Sequence, residues 1–283
     1  MTNVDELRSL ADEIRSKGVA VHDLDALADP NTGYERWMPV LVDLLDVLKE
    51  HAHGGDVRAQ GLAERVDRLT TDLQNDEKPR LSDEATAEDT RDVGPRFELV
   101  RDDYDSLLES CRIRPEYNSQ VAWHVKRITS RRADYEGVAQ KVSVPWYFIA
   151  IIHGLEASFR FDGHLHNGDP LAARTVQVPK GRPPVWDPPN DWSSSAIDAL
   201  SYEGFSGKQD WSIPKMLYRW EAYNGWGSRT RGINTPYLWS FSNHYMTGKF
   251  VKDGVYDSNA VSKQCGAGVM LKALIDRGAV ETA

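Results

Sequence analysis

The stretch Val144–Leu171, VPWYFIAIIHGLEASFRFDGHLHNGDPL, decides how the chain is read. Between Trp146 and Leu155 only His153 and Gly154 interrupt an apolar run, so a helix built here is hydrophobic nearly all round and belongs in the interior. Glu156 ends the run. A carboxylate in such a place is costly to bury, so it pairs with a charge or keeps its proton. A carboxylic acid that keeps its proton near neutral pH is suited to general acid catalysis, which makes Glu156 the first candidate for chemistry. The structural alternative is a solvent-facing residue at a fraying helix end. After Glu156 the texture becomes loop, with turn chemistry at Phe161-Asp162-Gly163-His164 and Asn167-Gly168-Asp169-Pro170.

On either side of this stretch the apolar spacing predicts a mainly α protein. Residues 4–17 place Val4, Leu7, Leu10, Ala11 and Ile14 on one face, with Gly18 as a stop. Residues 35–52 carry a stronger pattern, with Pro39 expected in the first turn or at a bend. A third helix over about 56–74 spaces Val57, Leu62, Val66, Leu69 and Leu73 for one buried stripe. These helices, residues 1–75, read as a small domain or an element that docks a protein partner. Acids then dominate, and residues 76–95 read as a flexible acidic linker that cannot bury enough surface to become ordered. Order resumes from Phe97 to about Cys111, and again after Pro115 through roughly Arg132, with Val121, Val125 and Ile128 inward. Pro145 is expected in the first turn of the central helix. Farther on, Val176–Pro179 reads as a short strand and Pro183–Pro189 as a rigid extended segment. Helices are expected from the Ser193-Ser194-Ser195 start, over Ile213–Tyr223, and over Ser258–Arg277.

Charge is unevenly spread. The chain has 283 residues and a net charge of −9. Residues 1–95 hold 11 basic against 22 acidic side chains, which leaves 23 against 21 for the rest, a balance of +2. That distribution argues against a nucleic-acid module, which would show a basic stripe. A near-neutral second part can approach an anionic polymer without strong repulsion. Nine Trp and eleven Tyr, most of them after residue 115, fit the apolar faces of sugar rings as well as they fit a core. Cys111 and Cys265 lack metal-ligand spacing and read as free and buried. The N-terminal residues lack a secretory signal, and no span reaches the roughly 20 apolar residues of a membrane helix. Synthesis in the cytoplasm without membrane insertion is the expectation, so action at a cell wall would need release or delivery by other machinery.

The string Ile149-Ala150-Ile151-Ile152-His153-Gly154-Leu155-Glu156-Ala157-Ser158-Phe159 resembles the first motif of soluble lytic transglycosylases and goose-type lysozymes. There a buried helix ends in the catalytic Glu. Downstream, Glu221-Ala222-Tyr223-Asn224-Gly225 is similar to the Ala-Tyr-Asn-x-Gly motif of that superfamily, whose Tyr lies near the acid. The chain departs from the pattern at Ala157, where a small Ser is usual, and at His164–Leu171, which replaces a Gly-Leu-Met-Gln segment. The resemblance implies a lysozyme-like catalytic domain over residues 96–283 that acts on peptidoglycan glycan strands, without cofactor or metal, and a phage or prophage endolysin is one such protein. It also implies a groove lined by residues of 162–171, 223–226 and 237–245. Ser158 and His166 beside the acid, Tyr223, Asn224 and Trp226 at the second motif, and Tyr237, Asn243 and Tyr245 in the aromatic run are the expected sugar contacts.

Cleaving a glycosidic bond requires a proton for the leaving oxygen and a way to stabilise the oxocarbenium-like centre. Glu156 supplies the proton. An inverting hydrolase adds a second carboxylate, typically about 6.5–9.5 Å away, to activate water. Asp169 is preferred for that role over Asp162, against the alternative that it caps its own turn. A lytic transglycosylase needs no second acid, since enzymes of the superfamily use the substrate's acetamido group and return a 1,6-anhydro sugar. Tyr223 would then orient the acid or the sugar. His153, His164 and His166 with Asp162 or Asp169 form a weaker constellation for a metal-dependent wall peptidase, because neither a His-Glu-x-x-His helix nor a Cys/His framework is present. Two further alternatives remain: a non-catalytic glycan-binding or virion protein on the same scaffold, and a chitinase- or chitosanase-like glycosidase.

Overall fold

The computed structural model describes residues 3–29, 31–77, 94–186, 191–207, 209–252 and 254–281. The chain is mainly helical and divides into two compact units, residues 1–80 and 81–283. Most of the expected acidic linker, residues 78–93, lies outside the described residues. Its first positions, Asp76 and Glu77, belong to a helix instead. Among the described residues no helix is long and apolar enough to cross a membrane.

In the first unit, α1 (Asn3–Ser16), α2 (Tyr34–His53) and α3 (Val57–Glu77) are joined by a 3-10 turn at Leu24–Leu27. Leu7, Leu10, Ala11 and Ile14 are fully buried, and the stripe Leu62, Val66, Leu69 and Leu73 on α3 is buried with them. Val57 is 79 % exposed because it opens α3 before the first buried turn. Pro39 sits inside α2 rather than in its first turn, and the helix continues through it. Arg65 of α3 reaches Glu6 at 3.4 Å and Glu13 at 3.0 Å, which ties α3 to α1.

The second unit is built around α7 (Trp146–Ala157). Every residue of α7 from Phe148 to Ala157 is buried. Its large apolar side chains contribute roughly 1.5–3 kcal/mol each by leaving water. Pro145 is the residue before the first turn, extended at ψ 132°, and not within it. Around α7 pack α5 (Asn118–Ser130), α6 (Arg132–Val142) and α12 (Ala267–Asp276). Helix α4 (Phe97–Glu109) lies on α9 (Ile213–Asn224), and α8 (Trp192–Tyr202) lies on α6. The Tyr104 hydroxyl of α4 donates to the buried Glu221 of α9 at 2.5 Å and ties the two helices, and Glu221 also pairs with Arg229 at 2.9 Å.

Several sequence expectations shift. The span to Arg132 is one helix followed by α6, which the apolar pattern does not announce. Val176–Pro179 forms loop, not strand. The extended Pro183 segment is described only as far as Trp186, whose indole N–H donates to the Leu171 carbonyl at 2.7 Å. Helix α8 is capped by Asp191, which accepts the Ser194 amide, and not by the serines themselves. Helix α12 starts only at Ala267 because residues 258–266 run irregularly. An unexpected hairpin precedes it: β1 (Lys249–Lys252) pairs antiparallel with β2 (Val255–Asp257), with Phe250 opposite Tyr256.

Candidate active site

Glu156 occupies the last turn of α7 and is 9 % exposed. The helix stops because Ser158 and Phe159 both take left-handed backbone, φ 49° and 61°, and turn the chain back on itself. Phe159 then donates its amide to the His153 carbonyl and lays its ring over Gly154, where a Cβ would come within 2.5 Å of the ring. Consecutive non-glycine residues in this region are strained and persist only where their surroundings over-determine them. Here the buried Phe159 ring does so.

Two tyrosines flank the acid. The Tyr237 hydroxyl donates to Glu156 Oε1 at 3.0 Å. Tyr237 is placed by a short helix, α11 (Pro236–Trp239), which the Thr235 hydroxyl caps by accepting the Tyr237 amide. The Tyr223 hydroxyl, from the last turn of α9, donates to the His166 carbonyl at 3.2 Å and lies 3.5 Å from that of Leu165. Burial pushes both phenols well above their ordinary range, and the Glu156 charge adds to the push on each. The Gln264 amide donates to the Leu155 carbonyl at 2.7 Å, beside the acid's own peptide.

Loop 163–170 lies directly against this helix end. Gly168, at φ 83°, sits so close that a Cβ there would meet the Glu156 carbonyl oxygen at 2.4 Å, so only glycine permits the approach. Asp169 organises the loop from within. Its Oδ2 accepts the Val176 amide at 2.7 Å, the Gln177 amide at 2.9 Å and the Asn167 side-chain amide at 3.2 Å. The side chain that caps the turn is Asn167, whose Oδ1 accepts the Asp169 amide at 2.9 Å; Asp169 does not cap its own backbone but ties its turn to the one at Val176-Gln177.

The other expected contacts are placed as follows. Ser158 is buried at the helix end. The His166 ring points into the protein and bonds Asp198 of α8 at 2.8 Å, so only its backbone faces Tyr223. Asn224 is exposed and reaches the Thr235 hydroxyl at 3.5 Å. Trp226 is buried against Tyr218. Asn243 braces a different place, accepting the Arg112 amide at 2.7 Å and donating to the Ser110 carbonyl at 3.2 Å. Tyr245 is buried, its hydroxyl accepting the Ser262 amide at 2.9 Å. Tyr223, Tyr237 and the loop carrying His166 therefore gather at Glu156, whereas Asn243 and Tyr245 hold scaffold.

His153 and His164 are each satisfied on both ring nitrogens. His153 bonds Tyr135 and the Arg160 carbonyl, each at 2.9 Å. His164 bonds Ser195 and the Ala173 carbonyl, each at 2.8 Å. Among the described residues no group of three or more His, Cys, Asp or Glu side chains could hold a metal ion. Arg182, Asp198 and Gln264 are contributors that the sequence did not single out, because a partner 16 residues away or farther leaves no local signal. Tyr237 has one: Thr235-Pro236 is a helix-start pair that fixes the following side chain. In comparisons with known proteins, no family model, no curated protein and no solved structure matches this chain.

Proposed function

We propose that this chain is a peptidoglycan-cleaving glycosidase with a lysozyme-like catalytic unit, in which Glu156 protonates the leaving oxygen of the MurNAc–GlcNAc β-1,4 bond. One observation carries the reading: a carboxyl group ends a buried apolar helix, accepts a hydrogen bond from the Tyr237 hydroxyl at 3.0 Å, and lies near enough to Tyr223 for its charge to act on that phenol. Such an acid is costly to desolvate, which supports a functional use for it.

Asp169 fits the role of loop anchor better than that of catalytic base. Its Oδ2 already accepts three N–H bonds, which fills that oxygen's acceptor sites and leaves no room there to orient a water. The route without a second acid follows. Glu156 gives its proton to the glycosidic oxygen as the bond from C1 breaks, and the substrate's acetamido oxygen closes on C1. The C6 hydroxyl then displaces it and returns its proton to Glu156, leaving a 1,6-anhydro end. Binding to peptidoglycan strands and action at the wall belong to the same proposal.

Mass spectrometry of purified peptidoglycan digested by the full chain tests it. The expected products are muropeptides one water lighter than hydrolytic ones, and they vanish with Glu156→Gln. Hydrated products would keep the acid and refute capture by the C6 hydroxyl, since water would have opened the intermediate instead. If the wild-type chain released nothing, or if Glu156→Gln cleaved equally well, the glycosidase reading would fall in favour of a glycan-binding scaffold.

A further inference from the structure

Behind the acid, on the far side of loop 163–170, lies a second set of ionisable groups, a buried imidazole against a half-buried carboxylate and guanidinium. His166 Nε2 and Asp198 Oδ2 are 2.8 Å apart, and Arg182 binds the same carboxylate twice, at 3.0 Å from Nε and 2.5 Å from its terminal nitrogen. The Arg182 guanidinium stacks on the Tyr202 ring at 4.7 Å. The ring of His166 is 1 % exposed and its Nδ1 has no partner. Because Asp198 can only accept, Nε2 carries the hydrogen and donates. Burial holds the imidazole neutral, with its pKa pushed down to about 4. Cation, carboxylate and imidazole thus form a chain of fixed direction that ends in the backbone of residue 166.

The carbonyl of that residue receives the Tyr223 hydroxyl. A phenol has one proton, and here it is committed to the loop. The Tyr223 oxygen can then only accept from anything placed on its other side, whether the carboxyl proton of Glu156 or an N–H or O–H of a ligand. We propose that Asp198 is a positioning residue: through His166 it fixes the loop carbonyl that takes the Tyr223 proton, and so sets Tyr223 as a hydrogen-bond acceptor beside Glu156. Gly168 transmits the same placement to the acid, since the loop rests on the Glu156 carbonyl. The inference deepens the glycosidase reading and rests on it for its effect on rate. Its geometric content stands on the loop alone.

The test pairs a kinetic readout with one that needs no activity. In the full chain, Asp198→Ala and His166→Ala are compared with His166→Gln, whose amide can still donate to Asp198. Wall clearing by the two alanine variants is expected to fall roughly tenfold to a hundredfold in kcat with KM little changed, as for a misplaced catalytic group. His166→Gln is expected to recover most of it. In parallel, 3-fluorotyrosine is placed at position 223 and its 19F resonance followed: it should move in both alanine variants and return in His166→Gln. An unmoved resonance in folded alanine variants overturns the proposal whatever the kinetics. A wild-type chain without wall clearing overturns the glycosidase reading instead, and the resonance then decides the brace by itself.

Discussion

The Tyr237 hydroxyl donates a hydrogen bond to Glu156 at the end of a buried apolar helix. A hydrogen bond to a charged group contributes about 1.5–3 kcal/mol, more than an exposed bond of the same length because no water competes for it. Tyr237→Phe removes that bond while keeping the ring. Should the phenol hold the acid toward the scissile oxygen, kcat for wall clearing falls about ten- to a hundredfold and KM stays near its wild-type value. An unchanged kcat would mean that the contact is only structural. The residue scale also separates what a sequence can announce from what it cannot. Glu156 stands out because an apolar run ends on it. Asp169 in Asn-Gly-Asp-Pro carries the same letters whether it activates water or ties two turns, and its three N–H partners decide only in three dimensions. His166 likewise reads as a sugar contact until its ring is found turned toward Asp198.

At the scale of elements, α7 shows two opposing effects at Gly154. Alanine is favoured over glycine in a helix interior by about 1 kcal/mol, so Gly154→Ala would ordinarily stabilise. Here the new methyl would stand 2.5 Å from the Phe159 ring, and that ring is buried with its edges against Trp123, His124 and His153. Overpacking of this kind costs about 1–3 kcal/mol and wins. Chemical denaturation should therefore show Gly154→Ala less stable than wild type, and Gly154→Ala with Phe159→Ala should lose the clash but leave a cavity. A more stable single variant would contradict the packing described. The central helix was legible because all of its faces are buried and a single-letter hydrophobicity suffices. Helix α6 was not: it buries only Tyr135, Val138 and Val142 in a polar sequence. The β1–β2 hairpin escaped for a related reason, since its strands are short and half exposed, with no alternation to betray them.

Across the whole molecule, the second unit buries imidazoles that must stay neutral. His153 donates from Nε2 to the Arg160 carbonyl and accepts the Tyr135 hydroxyl on Nδ1, so the neutral ring is fully used. Burial pushes its pKa down to about 3, and pushes His124 and His166 down to about 4. In the unfolded chain each titrates near 6.5. Below about pH 6.5 the unfolded state therefore binds protons that the folded state refuses, and stability falls as pH falls, by about 1.4 kcal/mol per pH unit for each such group until its folded pKa is reached. Carboxylates, with unfolded values near 4, add their own losses only lower down. Between pH 6.5 and 4.5 the decline thus belongs to the histidines. Thermal unfolding of the second unit, followed in the full chain by tryptophan fluorescence, should lose midpoint temperature steadily across that window. In His153→Gln the slope should shrink, by roughly a fifth to a third, because His153 is one of five imidazoles that burial pushes below the ordinary value, His164 and His244 being the other two. A flat midpoint from pH 6.5 to 4.5, or a slope that His153→Gln leaves untouched, would show that these imidazoles are not held neutral and that the packing around α7 admits water.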